Sequence, residues 1–392
     1  MGALDGLKVA DFSWVGAGPR ATKDLADNGA TVVKVESARR LDLGRRSPPF
    51  ARGEARNHDA SVFFAQTNTS KKSVTINLGT PEGVAVAKRL IRWADVVVEN
   101  FGPGYMDRIG LGWDTLCGLR PGIILASVSV AGRTGPMAGF RGYGNSAAAW
   151  SGHCDMTGWP GSDPHMPPFA YGDVTAPMML TLAILSALEH RDRTGQGVHV
   201  DVSQIEAMVH VAADLFAEMP TEKPANADPS MAPHGVYPAG EGWVAIACET
   251  DAQWAALARA LGDDGLASRW PDAAARKAAE AEVDAAVAAL TTHRGAAEVE
   301  AALVAAGVPA ARVLNGRDVS EHPALAAARH TVTVDHPVIG PARMPAPPYR
   351  MTETPAHVGP SPCLGADNAE IFAEIGLTEA EIADLTGKGV LA

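Results

Sequence analysis

Residues 169–177, FAYGDVTAP, place a lone carboxylate where it could carry out chemistry. Asp173 follows Tyr171 and Gly172, and small residues and the apolar run MMLTLAILSAL come after it. A carboxylate in the first turn of a helix can be a simple cap, which stabilises the helix by about 1 kcal/mol. The glycine would also let a substrate approach closely, so the same carboxylate could be a nucleophile in acyl transfer. Spacing alone leaves both roles open for Asp173.

A second group of residues suits an anionic ligand. The segment ENFGPGYMDRIGLG ends a predicted strand at Asn100, continues through Phe101 and a Gly-Pro-Gly turn, and reaches Arg108 near the start of a helix. The carboxyl edge of a parallel sheet is where such folds bind ligands, and these side chains there suit a nucleotide. The segment NTSKKS adds Lys71 and Lys72 before another strand, although paired lysines are most often a solvated surface.

The segment GAGPRA offers an alternative ligand. Residues 16–21 match the G-x-G-x-x-A pattern after a strand, and Glu36 ends the next strand where a ribose-binding acid belongs. This pattern favours a dinucleotide site. Pro19 removes one backbone N–H from the phosphate loop, so a tight strand-to-helix turn that binds nothing is an equal alternative.

Composition narrows the classes of function. The 392-residue chain has a net charge of −12 and no Lys/Arg-rich stretch, so we expect no nucleic-acid partner. The longest uncharged apolar run, residues 178–188, is shorter than the ~20 residues of a membrane span, and the first residues do not resemble a signal peptide. Four widely separated cysteines indicate neither a disulfide framework nor a zinc site. We expect a cytoplasmic protein without a metal or a membrane partner.

The order of predicted elements indicates an α/β fold. The β-branched runs LKVADFSWV, TVVKVES, DVVVEN and GIILASVS alternate with helical segments, which predicts parallel strands covered on both faces. We therefore predict a large doubly wound, Rossmann-like domain over residues 1–215. A Pro-rich stretch predicts a linker over residues 216–240, followed by a small α/β domain over residues 241–325 and a C-terminal segment over residues 326–392.

These segments together resemble the family III CoA-transferases of the CaiB/BaiF type. The resemblance runs nearly end to end, from LDGLKVADFSWVGAGPRATKDLADNGATVVKVES through YGDVTAPMMLTLAILSALEHRDRTGQGVHVDVSQIEA to PCLGADNAEIFAEIGLTEAEIADLTGKGVL. It favours coenzyme A over a dinucleotide as the ligand of GAGPRA. It implies a Rossmann-like large domain, a smaller α/β domain, a C-terminal segment that returns to the large domain, and an interlocked homodimer.

The resemblance also implies residue roles. Asp173 matches the catalytic aspartate, which attacks an acyl-CoA thioester, forms an aspartyl acyl anhydride and then an aspartyl-CoA thioester, and passes CoA to an acceptor carboxylic acid. CoA is then a co-substrate, and the partners are an acyl-CoA and a carboxylic acid. The positions that match the family's CoA contacts are Val15, Ala17, Asn100, Phe101, Arg108, Arg141 and Tyr143.

The chain departs from the family at a phosphate contact. Members often carry a basic residue directly after the acid that ends the second strand, where this chain has Ser37. Arg39 or Arg40 could supply that contact instead, and we include Lys72 among the predicted CoA-binding residues.

The acyl pocket also departs from the family. Gly16 stands where formyl-CoA transferase has a glutamine, so that enzyme's substrate is not implied. The Gly-rich loop of some members is missing, and residues 232–242 occupy its region. We expect this segment to line the acyl pocket, with His234 and Tyr171 as further substrate contacts.

Two alternatives remain beside intermolecular transfer. The same fold houses α-methylacyl-CoA racemases, which carry Gly-His-Asp where this chain has Gly142, Tyr143 and Gly144. Tyrosine is a poor base near neutral pH because its ordinary pKa is ~10. Racemisation or intramolecular CoA transfer is therefore the second hypothesis, and a catalytically silent CoA-binding subunit is the third.

Overall fold

The computed structural model describes residues 1–218, 223 and 225–392, so that residues 219–222 and 224 of the predicted linker lie outside the described residues. The chain divides into two compact units. The first comprises Met1–Cys154, His165–Met219 and Ala326–Ala392, and the second comprises Asp155–Pro164 and Pro220–Leu325.

The strands form three sheets within the described residues. In chain order they are β1 (Lys8–Asp11), β2 (Thr31–Glu36), β3 (Lys72–Thr75), β4 (Val96–Glu99), β5 (Ile124–Ser129), β6 (Val198–Ser203), β7 (His234–Ala239), β8 (Gly242–Ala247), β9 (Ala310–Arg312), β10 (Thr331–His336) and β11 (Gly340–Pro345). Strands β1–β6 make a parallel sheet in the order β3-β2-β1-β4-β5-β6. Strands β7–β9 make an antiparallel sheet in the second unit, and β10 pairs with β11 in the first.

The helices alternate with the strands in the first unit and cover the sheet of the second. In chain order they are α1 (Ala17–Asp27), α2 (Val62–Thr67), α3 (Pro81–Trp93), α4 (Tyr105–Arg108), α5 (Trp113–Leu119), α6 (Gly144–Trp150), α7 (His153–Met156), α8 (Gly172–Thr194), α9 (Gln204–Val211), α10 (Ala213–Glu218), α11 (Asp251–Leu261), α12 (Asp264–Arg269), α13 (Ala273–Ala278), α14 (Glu280–Thr291), α15 (Ala296–Ala305), α16 (Gly316–Glu321), α17 (Pro323–Ala327), α18 (Asn368–Glu374) and α19 (Glu379–Gly387).

The parallel sheet is covered on both faces, as its β-branched strands predict. Ala10, Val33 and Val97 pack on one face against α3, α5 and α18. Val9 and Val96 pack on the other face against α1 and α8. Burying both faces requires continuous apolar runs, so the prediction of an α/β fold with a parallel central sheet is confirmed.

The order of the strands positions a ligand site. The chain reverses its direction of travel across the sheet between β1 and β4, and the loops after these two strands diverge there. Such a switch point leaves a crevice at the carboxyl edge of the sheet. The loop after β1 is short because α1 already begins at Ala17. Pro19 is tolerated in the first turn of this helix, where an N–H would have no helical partner.

Two parts of the fold differ from the sequence-based expectation. Strand β6 was not predicted, because its alternation of half-buried and exposed residues is that of an edge strand rather than a buried one. Strand β7 lies inside the predicted linker of residues 216–240 and pairs along its whole length with β8. The Pro-rich composition of this segment therefore does not exclude an antiparallel edge strand.

Candidate active site

A cavity of about 970 Å³ opens at the carboxyl edge of the parallel sheet. Its walls come from the loops after β1 to β5 and from the first residues of α8 and α9. The volume is at the upper end of the range for small-molecule and cofactor sites. Eleven of the candidate catalytic, CoA and substrate residues named from the sequence line it: Val15, Gly16, Ala17, Arg39, Arg40, Asn100, Phe101, Arg108, Arg141, Tyr143 and Asp173.

Asp173 lies in the first turn of α8, with its carboxyl group held by two donors. Gln204 Nε2 donates to Asp173 Oδ1 at 2.9 Å, and the backbone N–H of Gly144 donates to the same carboxylate. Burial nevertheless raises the pKa of Asp173 above its ordinary value, because it outweighs these donors and the nearby charge of Arg20. The carboxylate is oriented, yet its charged form is only weakly stabilised.

Glycines surround this carboxylate. A Cβ added to Gly16 would lie 3.2 Å from Asp173 Cγ and 3.4 Å from Oδ2, and one added to Gly144 would lie 2.6 Å from Asp173 N. Gly172 packs closely against Gly144 in the same way. Only glycine allows these backbones to approach Asp173 closely. Asp173 Oδ2 therefore lies next to Gly16, and both residues line the cavity.

The loop beside Asp173 is fixed by side chains. Asn100 accepts from Trp14 N and donates to Trp14 O, both at 2.7 Å. Val15 has a φ of 65°, which is an outlier for a β-branched residue. Asp42 Oδ1 accepts from Val15 N at 2.9 Å, so a buried carboxylate holds this backbone conformation.

Unpaired cations surround the cavity. Arg39, Arg40, Arg108 and Arg141 all line it, are exposed, and form no ion pair within the described residues. Guanidinium groups in such a position suit phosphate oxygens. No cluster of three or more His, Cys, Asp or Glu side chains that could hold a metal ion occurs in the described part of the chain.

Aromatic rings form an apolar wall beside these arginines. Phe101 contacts Trp14 and Tyr105 at centroid distances of 5.8 and 4.5 Å. Arg40 lies over Trp14, and Arg108 lies over Tyr105. Flat apolar surfaces next to guanidinium groups can accommodate a base and its phosphates together.

The structure leaves three predicted residues outside the cavity walls. Lys72 is at the amino end of β3, and its ammonium group pairs with Glu370. Tyr171 precedes α8 and stacks on Phe169 at 4.1 Å. His234 begins β7 in the second unit, where Nδ1 is 2.6 Å from Asn226 O. Their proposed roles in binding CoA or substrate stay predictions.

Glu36, the acid at the end of β2, already accepts hydrogen bonds from other side chains of the protein. Glu36 accepts from Arg45 Nε at 2.8 Å and from Arg45 Nη2 at 2.7 Å, and it also accepts from Ser73 Oγ. Its side chain has no exposed surface. It therefore has no free oxygen for a ribose, which removes the basis for a dinucleotide site at GAGPRA.

Sequence reasoning missed Gln204. It is the first residue of α9, directly after β6, and its side chain reaches Asp173. A polar residue at the carboxyl end of a parallel strand was the available signal, but β6 itself had not been recognised.

Comparison with known proteins identifies similar sequences across nearly the whole chain. The sequence model of CoA-transferase family III matches residues 4–368. Succinyl-CoA–D-citramalate CoA-transferase of Chloroflexus aurantiacus is 34% identical over 99% of this chain and 98% of its own. Succinyl-CoA:mesaconate CoA-transferase of Haloarcula marismortui is also 34% identical, over 96% and 97%. Succinate–glutarate CoA-transferase of Agrobacterium fabrum is 32% identical over 96% of both chains.

A solved structure has the same fold. A CaiB/BaiF family protein from Brucella suis superimposes with a TM-score of 0.88 at 32% sequence identity. The match covers 95% of this chain and 99% of that one.

Proposed function

Since the chain belongs to CoA-transferase family III and is a CoA-transferase, we propose that it moves CoA between carboxylic acids through covalent intermediates on Asp173. The observation that carries this proposal is the geometry of Asp173, whose carboxyl group opens into the cavity with Oδ2 toward Gly16. A carboxylate with a raised pKa and few donors is a better nucleophile than one held in an ion pair.

The reaction then proceeds in four steps. Asp173 attacks the thioester carbonyl carbon, the C–S bond breaks, and an aspartyl acyl anhydride forms with CoA thiolate as the leaving group. The thiolate attacks Asp173 Cγ, releases the donor acid and leaves an aspartyl-CoA thioester. The acceptor carboxylate attacks Cγ, expels the thiolate and forms a second anhydride. The thiolate finally attacks the acceptor's carbonyl carbon, which yields the new acyl-CoA and free Asp173.

The cavity walls supply the binding side of this mechanism. We assign the CoA phosphates to Arg39, Arg40 and Arg108 and the adenine to the aromatic wall. The helix α1 begins beside Asp173, so its positive end also favours the negative charge that develops at the reacting carbonyl. Water must be excluded while either intermediate exists, because both are hydrolysable.

The geometry does not favour racemisation. In the racemases a histidine and an aspartate occupy the positions of Tyr143 and Gly144. Within the described residues no histidine lines the cavity, and a Cβ at position 144 would lie 2.6 Å from Asp173 N. An acid–base pair for proton exchange at an α-carbon therefore has no counterpart here.

We propose dicarboxylic acids as the donor and acceptor classes. The relatives from Chloroflexus, Haloarcula and Agrobacterium are named for succinyl-CoA or succinate with citramalate, mesaconate or glutarate. In this chain the guanidinium of Arg141 lines the same cavity as Asp173 without an ion-pair partner in the described residues. Arg20 is close enough to Asp173 for its charge to oppose the rise in the pKa of Asp173. A second carboxylate on the substrate would find positive charge near the reacting atoms.

A homodimer is the assembly that we propose. Helix α8 is long and apolar enough to cross a membrane by length and composition alone. Its Leu180 and Ile184 are buried in the core of the first unit, whereas Met178, Leu182 and Leu185 are 60%, 61% and 40% exposed. Because the same helix presents Asp173 to the cavity, a second copy is a better cover for this apolar face than lipid. Sedimentation of the purified protein measures the assembly directly.

Chemical trapping tests the function. The enzyme is mixed with succinyl-CoA without an acceptor, quenched with hydroxylamine and digested, and the peptide that contains Asp173 is examined by mass spectrometry. We expect a hydroxamate at Asp173 in the wild type and in Asp192→Asn, a matched exposed aspartate at the other end of α8. Turnover with an unmodified Asp173 would contradict the proposed function.

A further inference from the structure

Gln204 contacts the reacting carboxylate from a buried position. It is 4% exposed and lines the cavity, and its Nε2 donates to Asp173 Oδ1 at 2.9 Å. Only the amide nitrogen can donate to an ionised carboxylate, so the orientation of the side-chain amide is fixed by Asp173.

The other atom of this amide has no partner. Gln204 Oε1 is buried and accepts no hydrogen bond within the described residues. A buried acceptor without a donor lowers stability, so an apolar side chain of similar size would serve the fold better. Stability alone therefore does not account for a glutamine here, and the feature that remains is the N–H that Gln204 directs at Asp173.

We propose that Gln204 Nε2 stabilises the oxyanion that forms on Asp173 Oδ1 when Cγ is attacked. This inference rests on the proposed function, because it requires covalent intermediates on Asp173. It makes Gln204 a catalytic residue that acts on the enzyme's own carbonyl rather than on the substrate's carbonyl.

The four steps differ in where the charge develops. In the second step the thiolate forms a C–S bond to Cγ, the electrons of the C=Oδ1 double bond move onto Oδ1, and their return expels the donor carboxylate. In the third step the acceptor carboxylate forms a C–O bond to Cγ, Oδ1 again carries the negative charge, and the thiolate leaves. In the first and last steps the charge develops on the substrate's carbonyl oxygen, and Asp173 is the nucleophile or the leaving group. Gln204 therefore assists only the two middle steps.

The position of the two carboxyl oxygens agrees with this division. Oδ1 is held by Gln204, whereas Oδ2 is the oxygen next to Gly16, a residue that lines the cavity. If Oδ2 bonds to the acyl group, Oδ1 becomes the carbonyl oxygen of the anhydride and is already within hydrogen-bond distance of its donor. No rearrangement is needed before the second step.

The first test separates the first step from the second. Wild type, Gln204→Leu and the exposed-glutamine control Gln196→Leu are mixed with succinyl-CoA without an acceptor and quenched at increasing times. Each CoA adduct on the Asp173 peptide consumes one thiolate, so the sum of free thiol and adduct reports the first step, and the adduct alone reports the second. For Gln204→Leu we expect CoA-adduct formation to fall by about 10²- to 10³-fold, the usual loss for one oxyanion donor, while the sum of free thiol and adduct forms at a rate close to wild type. Gln196→Leu is expected to match the wild type in both.

The second test uses a variant with the same shape. Gln204→Glu has a carboxyl group that donates only when it is protonated. Its turnover is expected to be low at neutral pH and to rise to a maximum as the pH falls, before protonation of Asp173 lowers it again, whereas wild-type turnover only declines as the pH falls. A purely structural role of Gln204 does not invert a pH profile. The pH profile of Gln204→Glu therefore tests the role of Gln204 even if Gln204→Leu does not fold.

The outcomes separate this inference from the proposed function. A wild-type ratio of CoA adduct to the sum of free thiol and adduct in Gln204→Leu, or a wild-type pH profile in Gln204→Glu, overturns the role of Gln204 alone. Wild-type turnover without any adduct on Asp173 overturns the proposed function and this inference with it.

Discussion

Two aspartates of the first unit, Asp11 and Asp173, have opposite environments. Asp11 ends β1 and is completely buried, with Lys71 Nζ at 2.9 Å and hydroxyl donors from Ser13 and Thr22. Asp173 lies in the first turn of α8 and has one side-chain donor and one backbone donor. Both are carboxylates near the carboxyl edge of the same sheet, so the contrast lies in what surrounds them.

The surroundings move the two pKa values in opposite directions. Burial is the largest effect on both and by itself raises the pKa. At Asp11 the charges of Lys71 and Lys34 and the two hydroxyl donors outweigh burial and lower the pKa to about 2. At Asp173 burial outweighs the donors, so the pKa is raised. A carboxylate that is fully paired is structural, whereas one that is oriented but poorly neutralised is available for chemistry.

Replacement of the nucleophile is expected to have the largest effect. Asp173→Asn keeps the shape and an oxygen for Gln204 but cannot form an anhydride. We expect kcat to fall by roughly 10⁴-fold or more, while thermal unfolding is unchanged or shifts upward, since a buried carboxylate with a raised pKa destabilises the fold at neutral pH. Kinetics and calorimetry on the same preparation measure both. A variant that loses stability in proportion to activity would make Asp173 a structural cap instead.

Replacement of the paired aspartate is expected to give the opposite result. Asp11→Asn leaves Lys71 buried without its counter-ion, and breaking such a pair costs about 3–5 kcal/mol of unfolding free energy. Activity per folded molecule should change far less, because Asp11 does not line the cavity. Urea titration followed by an active-site count of the folded fraction checks this. If the urea midpoint of Asp11→Asn equals that of the wild type, the ion pair between Asp11 and Lys71 does not stabilise the end of β1.

Gly16 and Gly18, on either side of Ala17, extend the contrast between the surroundings of Asp173 and of Asp11. A Cβ on Gly18 would lie 2.2 Å from Ser13 Cβ, in the Asp11 network, whereas a Cβ on Gly16 would press on Asp173 at 3.2 Å. Gly18→Ala is expected to cost ~1–3 kcal/mol of stability through overpacking. Gly16→Ala is expected to lower kcat by about 10- to 100-fold with little loss of stability, because it displaces the nucleophile. Unfolding curves and kcat are measured for both variants. If Gly16→Ala and Gly18→Ala lose stability and kcat to the same extent, the contrast between the two glycines is contradicted.

The sequence predicts one of these environments better than the other. Strands β1 to β5 and the location of Asp173 follow from β-branched runs and the resemblance to a family, and that recognition is confirmed by the family model. The Asp11 network could not be predicted, since nothing in SKKS distinguishes Lys71, buried against Asp11, from Lys72, paired at the surface with Glu370. Which of two neighbouring lysines points inward depends on the register of β3 with β2.

Other misses have the same physical origin. Gln204 could be recognised only after β6 was, and β6 has the mixed pattern of a sheet edge. Strand β11 carries Pro341 and Pro345, which argue against a strand, yet pairing with β10 alone makes β11 an edge strand, where proline is tolerated. Pairing between strands, rather than the pattern within one strand, decides these elements.

The smallest expected effect is a separation of two pH transitions. An ordinary aspartate titrates near 3.8. Because the pKa of Asp173 is raised, the ionised nucleophile is lost as the pH falls through a value above 3.8, and kcat/KM should drop about tenfold per pH unit below it. The pKa of Asp11 is lowered to about 2, so its contribution to stability is complete above 3.8 and is lost only between 3.8 and about 2.

Activity should therefore disappear at a pH where the fold persists, and should return when the pH is raised again. Parallel pH profiles of kcat/KM and far-UV circular dichroism test this; coincident transitions would mean that unfolding, rather than protonation of Asp173, causes the loss of activity.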